Sequence, residues 1–318
     1  MKAIVTGGAG FIGSHLVDRL INDGYDVTVV DSMVCGTMDN LKQHAKNPKL
    51  KVCEVDIREA DELNKIFAGH DVVFHLAAQA NIRKSVVDHK SDLEHNLIGT
   101  MNILDAMIKN NIHDLVFASS SAIYGEATIR PTPEDYSPYQ TSLYGASKYA
   151  CEGFTEAYTE FAPIKFWAFR FANVVGERAR RGVIWDFTHK LLANPKELEI
   201  LGDGKQSKEY YHVEDCVNGI MTGYKKSSAK VNIFNIGLDE QTIVDRVADL
   251  VMEEMKLDKA KVKRKYSGGP RGWIGDNPLV VLSIKKLKSL GWKQTVPSEV
   301  AIRRTARWTL ENAKSLAK

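Results

Sequence analysis

Tyr144 and Lys148 stand four residues apart in Tyr144-Gly145-Ala146-Ser147-Lys148, a spacing that on a helix puts them on one face, one turn from each other. A free tyrosine has a pKa of about 10, too high for a base at neutral pH. An ammonium group beside it favours the phenolate and makes the pair a proton acceptor. Upstream, Ser119-Ser120-Ser121-Ala122-Ile123-Tyr124-Gly125 offers hydroxyls, one of which can hydrogen-bond an oxygen that becomes a carbonyl. Taken singly, such a Tyr–Lys pair is usually a surface pair and such a serine run a strand-ending turn. Their occurrence behind a third motif changes that weighting.

The third motif is Thr6-Gly7-Gly8-Ala9-Gly10-Phe11-Ile12-Gly13, between a strand pattern at Ala3–Thr6 and a helical pattern at Phe11–Asp23. Gly7 permits a tight turn, Gly10 lets a pyrophosphate approach the backbone, and Gly13 lets the helix pack close to the sheet. The helix start offers free N–H groups and positive dipole to phosphates. Asp31 ends the next strand, 24 residues after Gly7, where an acid binds the ribose 2′-hydroxyl and repels a 2′-phosphate. The pattern therefore predicts a dinucleotide, NAD in preference to NADP, whose positive nicotinamide would further favour the Tyr144 phenolate. Asp56, after the third strand, is placed to reach the adenine, although a plain turn aspartate is an equally good reading.

Elements that position these groups follow from periodicity. Short apolar runs at Ala3–Thr6, Val27–Asp31, Lys51–Val55, Val72–Leu76, Leu115–Ser119 and Lys165–Arg170 alternate with helical segments, which predicts an α/β, doubly wound, Rossmann-type parallel sheet with ligands at the strands' carboxyl ends. After about Asn173 the rhythm loosens. An arginine-rich loop (Arg178, Arg180, Arg181) leads to helices near Val183–Ala193 and Ile243–Met255 and a late strand at Asn232–Ile236. We expect an NAD-binding domain over 1–175 and a smaller C-terminal substrate-binding lobe over 176–318, with a soft boundary because the strand at 232–236 is able to return to the first sheet.

Composition bounds the rest. The 318 residues are 44% hydrophobic and 26% charged with 9 Pro, and carry a formal net charge of +3: enough apolar material for a core and too little charge to imply nucleic-acid binding. Cys35, Cys53, Cys151 and Cys216 match no metal-ligand spacing, so we expect no metal and no disulfides. No stretch approaches the roughly 20 apolar residues that span a bilayer, and the start runs straight into strand and glycine loop, which places the expectation in the cytoplasm.

On these motifs the sequence resembles the extended short-chain dehydrogenase/reductase family, and within it the UDP-glucose 4-epimerases of archaeal type. The resemblance covers nearly the whole chain: Lys2–His15, His75-Leu76-Ala77-Ala78, Asn96-Leu97-Ile98-Gly99-Thr100, Ser119–Gly125, Tyr144–Lys148, Arg170-Phe171-Ala172-Asn173-Val174-Val175-Gly176, Gly202-Asp203-Gly204-Lys205-Gln206, Tyr211-His212-Val213-Glu214-Asp215 and Arg271-Gly272-Trp273-Ile274-Gly275-Asp276. It implies Tyr144 as base, Lys148 as its partner and Ser120 as the catalytic serine, with Ser121 a near rival. It implies NAD held by Gly7, Gly10, Phe11, Ile12, Gly13, Asp31, Asp56, Ile57, Ala77, Asn96, Tyr144 and Lys148. A UDP-sugar would meet Ser120, Ser121, Tyr144, Asn173, Lys208 and Arg271. Lys208 stands where the family usually has arginine, which keeps the charge and loses the planar fork. Val280 falls near the sugar pocket, where a small side chain would admit an N-acetyl group.

The implied reaction is C4 epimerisation through a 4-keto sugar, in a homodimer built on the helices near Asn96–Lys109 and Tyr144–Phe161. Sister dehydratases carry an Asp-Glu pair, and decarboxylases a Glu, beside the catalytic hydroxyl; Ser121-Ala122 here lowers both readings. A sugar reductase or dehydrogenase, and a non-catalytic NAD-binding regulator, remain as rivals. His75 and His212 read as structural histidines, Trp273 and Trp292 as anchors of the carboxy-terminal segment.

Overall fold

A computed structural model describes residues 1–273 and 276–316, the side chains of residues 83 and 314–316 apart. Ile274 and Gly275 of the last motif thus lie outside the described residues. The first half runs β1 (Lys2–Thr6), α1 (Phe11–Asn22), β2 (Asp26–Asp31), β3 (Leu50–Glu54), α2 (Ala60–Phe67), β4 (Val72–His75), α3 (Ile82–Ser85), α4 (Gly99–Lys109), β5 (Asp114–Ser120), α5 (Leu143–Phe161) and β6 (Lys165–Phe171). The second half runs β7 (Asn173–Val175), α6 (Val183–Ala193), β8 (Glu197–Ile200), β9 (Ser207–Lys208), β10 (Tyr210–His212), α7 (Val213–Lys226), β11 (Val231–Ile236), β12 (Thr242–Ile243), α8 (Val244–Glu254), β13 (Lys263–Tyr266), α9 (Lys285–Ser289) and α10 (Ser298–Leu316).

Seven parallel strands form the central sheet in the order β11-β6-β5-β4-β1-β2-β3. The chain starts in the middle, winds one way through β2 and β3, then crosses back to β4 and outward, so a crevice opens where β1 and β4 diverge to opposite sides. All four residues of β4 are buried, as a strand covered on both faces requires. One face packs Leu16, Val17 and Leu20 of α1 with Ile220 and Met221 of α7. The other packs Phe67 of α2, Ile103 and Met107 of α4 and Cys151 of α5. β11 joins β6 at the sheet edge, so the stretch after residue 175 contributes a strand to the first layer, together with α7 beneath it. A separate cluster of Phe187 and Leu191 (α6), Val247 and Val251 (α8) and Ile302 and Ala306 (α10) forms the core of the second lobe.

Expected and observed strands agree within a residue or so at each end. The expected helix from Asn96 is different: residues Leu93–Ile98 form a π-helical stretch before α4 begins at Gly99. Trp292 is buried and donates to the Asp215 carbonyl, whereas Trp273 is half-buried. His75 is enclosed between the Thr6 and Thr100 hydroxyls, and His212 between Glu177 and the Glu214 amide, each a packed histidine.

Between β5, β6 and α5 lies a buried ion pair, Glu152 with Arg170 (2.6 Å). Arg170 also donates to the Tyr124 hydroxyl (2.7 Å) and the Glu134 carbonyl (2.6 Å), and Ser119 donates to Glu152 (2.5 Å). Removing one partner strands a charge in the interior. Arg170→Met is therefore expected to cost about 3–5 kcal/mol, read as a lowered denaturant midpoint. The double change Glu152→Leu/Arg170→Met should lose less than the Arg170→Met single change; a double loss equal to the sum of the two single losses would show that the charges do not depend on each other.

Candidate active site

The turn from β1 into α1 is built on close approach. Gly7 has φ +68°, and a Cβ there would lie 2.7 Å from the Ala77 nitrogen. A Cβ on Gly13 would lie 2.1 Å from the Gly7 carbonyl oxygen. Gly7 and Gly10 thus line the floor of a cleft of about 300 Å³, walled by Asp31, Cys35, Asp56, Ile57, Ala77, Gln79 and Arg181 among others. Phe11, Ile12 and Gly13 form the first turn of α1 behind this floor rather than its wall. The Asp31 carboxylate accepts from the Ala9 and Met33 amides. Burial raises its pKa from the ordinary value, with those two bonds opposing. Asp56 is engaged by Arg58, whose Nε and Nη2 both donate to it, and this holds the carboxyl below its usual value. A glycine floor, a carboxylate at the end of β2 and a helix N-terminus fit a dinucleotide.

At the carboxyl end of β5 the catalytic candidates meet. Ser142 caps α5, accepting from the Gly145 amide, and the helix carries Tyr144 and Lys148 on one face. Lys148 is buried, donates to the Ala118 carbonyl (2.8 Å) and sits 4.4 Å above the Phe117 ring. Burial pulls its pKa down to about 8. Burial pushes Tyr144 up to about 12, with a hydrogen bond to Ser120 acting the other way. Of the two rival serines, Ser120 is the one that bears on Tyr144's titration; it also caps the short turn of residues 121–124 by accepting from the Ala122 amide. Ser121 lines a neighbouring small cavity with Tyr124, Asn277, Val280 and Leu282.

Asn96 is a relay of contacts: its Oδ1 accepts from the Gln79 amide and its Nδ2 donates to Ser147 (2.9 Å), tying the cleft's rim to α5. Asn173 begins β7 and bonds through its amide to the Glu209 carbonyl. Lys208 pairs with Asp276 (2.6 Å), and Arg271 with Glu126. Both expected substrate cations thus hold carboxylates, so an anionic ligand must exchange with these. The sequence reading missed Glu152 and Arg170, whose signal was present: Glu152 follows Lys148 by one more helical turn. Among the described residues no group of three or more His, Cys, Asp or Glu is placed to hold a metal ion, and no helix is long and apolar enough to cross a membrane.

The family model described as "NAD dependent epimerase/dehydratase family" matches residues 3–237. A putative UDP-glucose 4-epimerase of Methanocaldococcus jannaschii is 37% identical, over 98% of this chain and 99% of the relative. The solved UDP-glucose 4-epimerase of Thermotoga maritima, holding UDP-glucose, superposes with a TM-score of 0.87 at 34% identity, over 98% of this chain and 100% of that one. A dTDP-glucose 4,6-dehydratase of Streptomyces venezuelae, solved with NAD, superposes with a TM-score of 0.90 at 26% identity, over 99% and 98%.

A buried lysine whose folded pKa lies near 8, below the 10.5 of the free side chain, destabilises the ligand-free protein at neutral pH. The unfolded chain binds the extra proton between those two values, so stability rises with pH across about 8 to 10.5. Below that window the cost is on the order of 3 kcal/mol. Lys148→Met is expected to raise the denaturant midpoint at pH 7, with the gain shrinking as pH climbs towards 10.5. A gain that does not change with pH would mean that the lysine is not the titrating group.

Proposed function

The chain belongs to the NAD dependent epimerase/dehydratase family, and from that premise we propose that it interconverts the C4 epimers of a UDP-linked hexose. The observation that carries the reading is the grouping of Ser120, Tyr144 and a buried Lys148 where β5 ends and α5 begins, with Ser121-Ala122 rather than an acid beside the serine. Similarity to 4-epimerases along 98% of the chain supports it.

Gly7, Gly10 and Asp31 would hold NAD, which would supply an acceptor, and then a donor, for the hydride of the sugar C4. Tyr144 takes the proton of the 4-hydroxyl and gives it back, which makes it the general base and then the general acid. Ser120 holds the same oxygen and shares its hydrogen bond with the phenol. Lys148, one helical turn on and fixed against the Ala118 carbonyl, would offer positive charge to a phenolate. Asp31 selects the unphosphorylated ribose. Asn173, Lys208 and Arg271 lie on the second-lobe side, where they would take the nucleotide diphosphate in exchange for Asp276 and Glu126. Affinity placed in the nucleotide leaves the sugar free to turn and present its other face, which epimerisation requires. Val280 is the side chain expected beside the sugar, but the cavity it lines with Ser121 holds only about 10 Å³, so an N-acetyl group would require that wall to give way. A second copy of the chain is expected against α4 and α5, which expose Ile108, Tyr149, Phe154 and Phe161.

Incubation with UDP-galactose without added reductant is expected to yield UDP-glucose, and Tyr144→Phe to lower turnover by at least 10³-fold with the nucleotide still bound. Folded, NAD-supplied protein that leaves every UDP-hexose unchanged would overturn the proposal. Replacing Val280 with Tyr should reduce turnover of UDP-N-acetylglucosamine more than that of UDP-glucose; equal losses would place the acetyl group elsewhere. In sedimentation a dimer is expected, and Phe154→Glu should shift it to monomer; an unshifted dimer would put the interface on another face.

A further inference from the structure

The arginine-rich loop between β7 and α6 is not used by the chemistry above, yet it crosses the dinucleotide cleft. Arg181 Nη2 donates to Cys35 Sγ at 2.8 Å, and both residues line the same cleft as Gly7, Gly10 and Asp31. The contact joins the second lobe to the loop after β2, over the edge of the glycine floor.

Both ends of this bridge are fixed. On the β2 side, the Thr37 amide and Asn40 Nδ2 both donate to the Ala9 carbonyl, and Asp31 accepts from the Ala9 amide. On the other side, Arg178 holds a left-handed φ of 68° and pairs with Asp18 of α1 (2.8 Å), while the His15 ring bonds the Glu177 carbonyl (3.0 Å). The loop is thus moored to α1, the helix whose start faces the cleft.

Charge then singles out Arg181. Of the other cations lining the cleft, Arg58 is paired with Asp56 and Lys84 with Asp88. Arg181 forms no ion pair among the described residues, and a thiol is a weak acceptor for a guanidinium. In the same loop Arg178 Nη1 and Arg180 Nε are buried without a hydrogen-bond partner among the described residues. A guanidinium held over a dinucleotide cleft by so weak a partner is matched to a phosphate, which accepts two of its donors at once.

We propose that Arg181 is a cofactor-retaining strap: it leaves Cys35 for the pyrophosphate of the bound dinucleotide and slows its release. The inference rests on the dinucleotide reading of the cleft and not on the identity of the sugar. It supplies what a reaction without net redox needs, since the cofactor that takes hydrogen from one sugar face must be the one that returns it. Asp31, facing the ribose, disfavours a 2′-phosphate as the strap's partner.

The test is the release rate of NADH, followed by its fluorescence after mixing with excess NAD and without sugar, in wild type, Arg181→Gln, Arg181→Lys and Cys35→Ser of matched thermal stability. Loss of one charge-assisted contact should speed release about tenfold in Arg181→Gln, with a flatter salt dependence. Arg181→Lys should fall between, and Cys35→Ser should release more slowly than Arg181→Gln. Release from Arg181→Gln within twofold of wild type overturns the strap. So does equally fast release from Cys35→Ser, which would place retention in the thiol contact itself. Because no sugar is present, faster release from Arg181→Gln in a chain that epimerises nothing would sink the proposed function and leave the strap standing.

Discussion

The Glu152–Arg170 ion pair is the interaction on which the site depends. Two charges buried together gain little net stability, because their mutual attraction roughly offsets the desolvation of each. What the pair confers is position. Glu152 belongs to α5, the helix of Tyr144 and Lys148; it accepts from Ser119, the residue before Ser120, while Arg170 sits on β6. Through Tyr124 the network continues to Asn235 of β11, whose amide side chain donates to the Thr132 and Ser283 carbonyls. The serine strand, the Tyr–Lys helix and the carboxy-terminal segment therefore share one set of directional bonds. A shift of any one of them leaves a buried polar group unpaired, and that cost locks the relative placement of Ser120, Tyr144 and Lys148.

The first half of the fold was legible because parallel strands covered on both faces need continuous apolar runs, as in Val72-Val73-Phe74, and the helices between them need a regular apolar stripe. Past residue 175 the described strands other than the six-residue β11 shrink to two to four residues, as in β9, β10 and β12. Such segments are held by partners distant in sequence, so no local period announces them. The π-helical stretch at Leu93–Ile98 is likewise silent in sequence. It places Asn96 where its side chain bridges Gln79 and Ser147, a tertiary demand that overrides the helical pattern.

Within the site, the groups that act through the backbone or through helical spacing were readable. Gly7 and Gly13 are forced by contacts within the turn itself, and Tyr144 and Lys148 by the geometry of a single helix. Groups defined by pairing across the chain were not. Arg170 reads as the polar end of a strand until Glu152 is seen beneath it. Lys208 and Arg271 read as free cations until Asp276 and Glu126 are seen beside them, one 68 positions away along the chain. Ser120 and Ser121 are alike in sequence, yet the first ends β5 and the second opens the short turn beyond it, a difference no local pattern announces.

That contrast bears on how the two halves of the molecule divide their work. Lys148 is buried at a cost because its partner in the ligand-free protein is a carbonyl and an aromatic face rather than a carboxylate. The second-lobe cations are instead neutralised in advance by acids. A ligand bringing negative charge to Lys208 and Arg271 displaces those acids and so gains only the difference between two ion pairs, which limits affinity without blocking entry. Lys148 is left with no carboxylate bonded to it, in a low-dielectric setting, where a negative charge brought beside it would count for far more. Charge is thus neutralised in advance at Lys208 and Arg271 and left uncompensated at Lys148, so an anion gains more at the second place than at the first.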